Sequence, residues 1–184
     1  MPLSCSGCTV SVPALPASCG KNKKQGGIPY LAIVSCDNTT IVATPTDLSA
    51  WQNAVTANDA RVIKGLLGEF VDPSDTMKRI GSCDPETLLG RVWTLNFEDY
   101  DFTESGTPLV FDKENFYNAI QADPNQYNLY FGTCDGRMWQ VPNFTLKMNV
   151  VIPNTNTDAR YMKVQVMFQG LTMGNQYVFD LGTV

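Results

Sequence analysis

Apolar and polar residues alternate with a period of two in three stretches of the chain. Trp93, Leu95 and Phe97 interleave with Val92, Thr94, Asn96 and Glu98; Phe144, Leu146, Met148 and Val150 share one side of a second stretch; Met162, Val164, Val166 and Phe168 share one side of a third. Successive strand side chains point to opposite faces, so each stretch is expected to be a strand with one face on a core. The continuous apolar run Ile28-Pro29-Tyr30-Leu31-Ala32-Ile33-Val34 reads instead as a buried strand ending at Ser35-Cys36-Asp37-Asn38, with a return strand over Thr39 to Ala43. Further strands are expected from Tyr127 to Thr133 and, after a turn at Asp135-Gly136, as one long strand from Arg137 to Ile152. Asn154 to Asp158 then turns the chain into the strand Tyr161 to Phe168, and Gln176 to Leu181 can add an edge strand.

Helical spacing occurs in two places. Thr46 or Asp47 can cap a helix over Leu48 to Ala57 that places Leu48, Trp51, Ala54 and Val55 on one face, and a second capped helix fits Asp112 to Ala122. The two are expected to pack on sheet through Trp51 and Phe116. Asp47, Trp51, Asn53, Ala54, Val55 and Ala57 recur as Asp112, Phe116, Asn118, Ala119, Ile120 and Ala122, and Ser35-Cys36-Asp37 recurs as Ser82-Cys83-Asp84 and Thr133-Cys134-Asp135. A duplication would give this echo. So would turn-forming Asp before Asn38, Pro85 or Gly136, with a small buried Cys ending each strand, which is the simpler account.

Residues 1–27 carry Pro2, Pro13, Pro16 and the basic run Lys21-Asn22-Lys23-Lys24 without any sustained period, so they read as an extended N-terminal arm whose work is on neighbours. Residues 28–184 read as a single β-rich domain. Arg61-Val62-Ile63 and Leu66-Leu67 fit a short helix, but Gly65, Gly68, Pro73 and Pro85 break the region into a long surface loop near 68–90. The expected fold is therefore mainly β: a β-sandwich or half-barrel with two short flanking α-helices and the arm.

Composition narrows the function. The chain of 184 residues is 43% hydrophobic but only 17% charged, below the quarter or so of ordinary soluble domains, which suits surface that meets protein. A net charge of -5 argues against tight sequence-independent binding of nucleic acid. No run approaches a membrane span and Met1-Pro2-Leu3-Ser4-Cys5 lacks a secretory pattern, so a soluble, non-exported chain with no membrane partner is expected.

There is no histidine, which removes the commonest general base and transition-metal ligand. Glu98, Asp99 and Asp101 could pair as acid and base but read as a solvated strand end. The glycines lack the spacing of a phosphate-cradling loop. Asp123-Pro124-Asn125 and Asn154-Thr155-Asn156-Thr157-Asp158 offer oxygen ligands for calcium without the closing Glu of a calcium loop, so turns explain them better. Cys5-Ser6-Gly7-Cys8 with Cys19 has the spacing of a zinc knuckle, yet a second pair is missing and reduced, unliganded thiols are expected. Cys36, Cys83 and Cys134 read as small buried hydrophobes. Tyr127, Tyr130, Phe131, Arg137 and Trp139 could stack bases but lack interleaved basic residues, so core and interface packing is expected. Trp51, Trp93 or Trp139 could serve as a platform for a sugar or other host-surface ligand. No enzyme template and no cofactor emerges.

Arg91-Val92-Trp93-Thr94-Leu95-Asn96-Phe97, the segment Asn115-Phe116-Tyr117-Asn118-Ala119-Ile120 and the later paired strands resemble bacteriophage virion structural proteins, and are most similar to tail-tube subunits. The resemblance spans residues 91–170. It implies a β-sandwich or half-barrel flanked by a helix, with a loop and a terminal arm that join copies into stacked rings around a channel for DNA passage. Other virion proteins would be its partners, DNA would be in passive contact at most, and the location would be the virion, assembled in the bacterial host cytoplasm. Another virion role (capsid decoration, tail completion or baseplate) and a carbohydrate or host-surface binding module are the alternatives.

Overall fold

A computed structural model describes residues 27–78, 87–100, 113–133, 135–141, 143–152, 154, 160–170 and 172–184. Among these residues nine strands form two antiparallel sheets that face each other across a shared core. The five-stranded sheet has the order β2-β1-β5-β6-β9, built from β2 (Ala60–Lys64), β1 (Tyr30–Ser35), β5 (Tyr127–Gly132), β6 (Arg137–Val141) and β9 (Asn175–Val178). The four-stranded sheet has the order β3-β4-β8-β7, from β3 (Leu67–Lys78), β4 (Thr87–Tyr100), β8 (Tyr161–Gln169) and β7 (Phe144–Val151). The expectation of a mainly β, sandwich-like fold is met; residues 1–26 of the N-terminal arm lie outside the described residues.

The two hydrophobic patterns follow from position in the sandwich. The strands β4, β7 and β8 bury one face, with Leu95, Phe97, Phe144, Leu146, Met162, Val164, Val166 and Phe168 in the core, while Thr94, Asn96, Lys163 and Gln165 sit on the other face; Gln165 donates to Asn96 there at 3.1 Å. Strand β1 is continuous in its apolarity because both its faces are covered. Its Leu31 and Ile33 join the core between the sheets, whereas Ala32 and Val34 join a second core on the outer side.

That second core is roofed by helix α2 (Leu48–Ala57). Asp47 caps it by accepting the Ser49 N–H, and Asn58 closes it in the left-handed region at φ 64°. Trp51 is 0% exposed, packs edge-on against Tyr130 at 5.3 Å, and donates its indole N–H to the Pro45 carbonyl at 2.9 Å. Truncating it to Ala is expected to cost about 3–5 kcal/mol, since the cavity could not collapse around so large a void.

Three expectations are corrected. Thr39–Ala43 is a short helix, α1, because the Asn38 side chain accepts the Ile41 N–H at 3.1 Å and so caps a helical turn; β2 supplies the antiparallel return on β1 instead. Residues 67–78, placed in a long loop, form β3, and Pro73 is accommodated at a register shift between Val71 and Ser74. The single strand from Arg137 to Ile152 is two, β6 and β7, in different sheets, with Asn143 at φ 29° where the chain crosses. Helix α3 (Lys113–Ala122) buries Lys113, Tyr117 and Ile120, and its half-buried Phe116 packs against the core between the sheets as expected. Those buried positions correspond in the echo to Leu48, Gln52 and Val55, which α2 leaves partly or wholly exposed, so the two helices do not share a packing face.

Candidate functional site

One strand pair continues past its sheet as a ribbon. Strand β8 pairs with β4 only from Val92 onward, but β3 and β4 remain paired out to Lys78 and Thr87. Residues 75–78 and 87–91 therefore form a two-stranded ladder with no third strand among the described residues. Its root is aromatic: Phe70 meets Trp93 edge-on at 6.4 Å, Trp93 stacks on Phe168, and the Trp93 indole donates to the Gly170 carbonyl at 3.0 Å.

Arg91 holds the ribbon together by donating to both Asp75 carboxylate oxygens, at 2.5 and 2.7 Å, with its guanidinium 5.3 Å from the Trp93 ring centre. These hydrogen bonds hold the Asp75 carboxyl below its ordinary value and raise that of Arg91. The bridge's stabilisation is thus present above the ordinary carboxylate value and is lost as pH falls through the lowered one. Val71 and Met77 stand exposed at 41% and 49%.

Edge strands differ in how they are covered. On β7 the outward Met148 N–H donates to Gln121 of α3 at 2.8 Å, so a helix blunts that edge. The edges β2 and β9 are short, five and four residues. Strand β3 is the longest edge at twelve residues; the lead-in to β1 hydrogen-bonds its start, through Ile28 N–H to the Gly68 carbonyl at 3.0 Å, and no strand among the described residues other than β4 pairs with it.

The acidic trio is corrected in part. Asp99 is 3% exposed rather than solvated, while Glu98 takes the other side of β4 and Asp101 lies outside the described residues. Lys113 bonds one Asp99 oxygen at 2.5 Å and the Tyr117 hydroxyl donates to the other at 2.8 Å. Burial, then the Asp99 charge, pushes the Tyr117 hydroxyl well above its ordinary value, so it remains a donor. Asp99 follows Trp93, Leu95 and Phe97 in the same alternation, and that signal marks it as a core position.

Among the other candidates, Cys5, Cys8, Cys19, Cys83 and Cys134 lie outside the described residues. Cys36 is exposed in the turn after β1, not buried as expected: it falls one residue past the strand. Among the described residues no group of three or more Cys, Asp or Glu is placed to hold a metal ion, and no helix is long and apolar enough to cross a membrane. Tyr130 and Phe131 are buried and Trp139 stacks on Phe131 at 5.1 Å, so these rings pack the cores as expected. Trp51 is buried and cannot be a ligand platform.

Comparison with protein-family models, with curated proteins and with solved structures finds no match to this chain.

Proposed function

We propose that this chain is a structural subunit that assembles with copies of itself, and that within a bacteriophage virion it is a tail-tube protein whose stacked rings enclose the channel for DNA passage. The observation that carries the reading is the long β3 edge, on which no further strand pairs among the described residues, continuing into a ribbon that outruns its own sheet. An isolated two-stranded ribbon is at best marginally stable in water, and an open edge presents a row of unpaired N–H and C=O groups. A neighbouring copy that adds a strand to β3 and covers Val71 and Met77 satisfies both. Repetition of one such heterologous contact closes a ring when its rotation closes.

The low charge content supports buried subunit contacts, and the net charge of -5 suits a channel wall that phosphates pass without sticking. The virion assignment rests on the resemblance of residues 91–170. Electron microscopy of the purified chain at rising concentration tests the reading: rings or tubes are expected, and particles that stay monomeric throughout would overturn it.

A further inference from the structure

Residues 1–26 lie outside the described residues, but the place where they join the domain is defined. The Ile28 N–H donates to the Gly68 carbonyl at 3.0 Å, and a Cβ on Gly27 would lie 3.9 Å from that same oxygen. The arm therefore joins the domain at the start of the β3 edge. Charge divides between the two parts. Residues 1–26 hold three of the 13 basic residues, Lys21, Lys23 and Lys24, and none of the 18 acidic ones, so they carry +3 and leave -8 on residues 27–184. Glu69 and Asp72 stand exposed along β3.

We propose that the strand laid on β3 is residues 17–26 of the arm of an adjacent copy, with its lysines against Glu69 and Asp72. This rests on the assembly reading above and names the segment that makes the contact. Residues 17–26 contain no proline, so each of their N–H groups can serve a ladder. Ten extended residues run about 33 Å, which spans most of the twelve-residue β3. A strand added to an edge is held chiefly by main-chain hydrogen bonds, so the arm needs no apolar period to serve as one.

The other strands that a neighbour could offer fit less well. Among the described edges β2 and β9 supply five and four residues, and α3 covers β7 at Met148. A second β3 laid antiparallel would bring Glu69, Asp72 and Asp75 against the same carboxylates. A strand supplied by the chain's own arm would cover the edge and leave a neighbour nothing to add, so assembly through β3 requires the arm of the next copy.

The test is zero-length carbodiimide cross-linking of the full chain, with ¹⁵N-labelled and unlabelled copies mixed in equal amounts at low concentration and then concentrated, read by mass spectrometry beside electron microscopy. Cross-links from Lys21, Lys23 or Lys24 to Glu69 or Asp72 are expected, with mixed-label pairs as frequent as same-label pairs. Lys21→Glu, Lys23→Glu, Lys24→Glu is expected to raise the concentration at which assembly begins about tenfold or more, and adding Glu69→Lys and Asp72→Lys to that chain is expected to restore it. Rings without these cross-links, rings with same-label pairs alone, or a charge reversal that has no effect or is not rescued would each overturn the proposal and leave self-assembly standing. A parent chain that never forms rings would overturn the assembly reading, and this proposal with it.

Discussion

Lys113 Nζ lies 2.5 Å from Asp99 Oδ1, which ties the first residue of α3 to the far end of β4. Tyr117, one turn along the helix, takes the second carboxylate oxygen. A charge at a core position is tolerable only with such partners. Asp99→Asn is expected to lower stability by about 3–5 kcal/mol, because it removes the charge opposite a buried ammonium. Tyr117→Phe should cost about 1–3 kcal/mol by stripping a hydrogen bond from the carboxylate. Urea unfolding measures both, and equal, near-zero effects would mean that the strut does not hold α3.

Tyr130 should behave oppositely. Its hydroxyl is buried with no hydrogen-bond partner among the described residues, so Tyr130→Phe is expected to be neutral or stabilising, by up to about 1–3 kcal/mol. Burial and then the nearby Tyr177 push the Tyr130 hydroxyl up to about 12 from 10.0. A raised folded-state value stabilises the protein below the unfolded value, and this contribution is lost as pH rises from about 10 through about 12. Urea midpoints across that window should fall less in Tyr130→Phe than in the parent chain.

Gly68 is needed for close approach. A Cβ there would lie 2.7 Å from the Ile28 carbonyl oxygen, where the lead-in to β1 hydrogen-bonds across the start of β3. Gly68→Ala is expected to cost about 1–3 kcal/mol as the backbone moves aside, whereas Gly90→Ala, with open space around it, should be tolerated. Thermal melts of the two variants make the comparison.

Deleting residues 1–26 should leave the unfolding temperature nearly unchanged while weakening association, since an aperiodic segment has no face to bury in its own domain. Calorimetry and sedimentation velocity on the truncated chain separate the two effects. Loss of folding would place the segment in the core, and loss of bound zinc with it would restore the Cys5, Cys8 and Cys19 knuckle.

What was legible in the sequence follows from burial. Strands β4, β7 and β8 have one wet face and alternate openly, and α2 was marked by its cap and by Trp51. Strand β3 was hidden because Asp72 and Pro73 sit at a register shift and Ser74 and Asp75 are held by pairing and a salt bridge rather than by a buried face, which leaves no period to read. The β-branched Thr39-Thr40-Ile41-Val42 suggested strand, and one Asn38 side-chain bond outweighed that preference. Asp99 was visible as the next core position of β4.

Assembly through the β3 edge and its ribbon is tested most directly by electron microscopy of the parent chain beside a Val71→Glu, Met77→Glu variant. Both positions are exposed, so the variant should keep the circular-dichroism spectrum of the parent. The parent is expected to close into rings or tubes as concentration rises and the variant to remain monomeric, because two charges would have to be buried against the neighbouring copy. A parent chain that stays monomeric, or a variant that assembles equally well, would contradict the account.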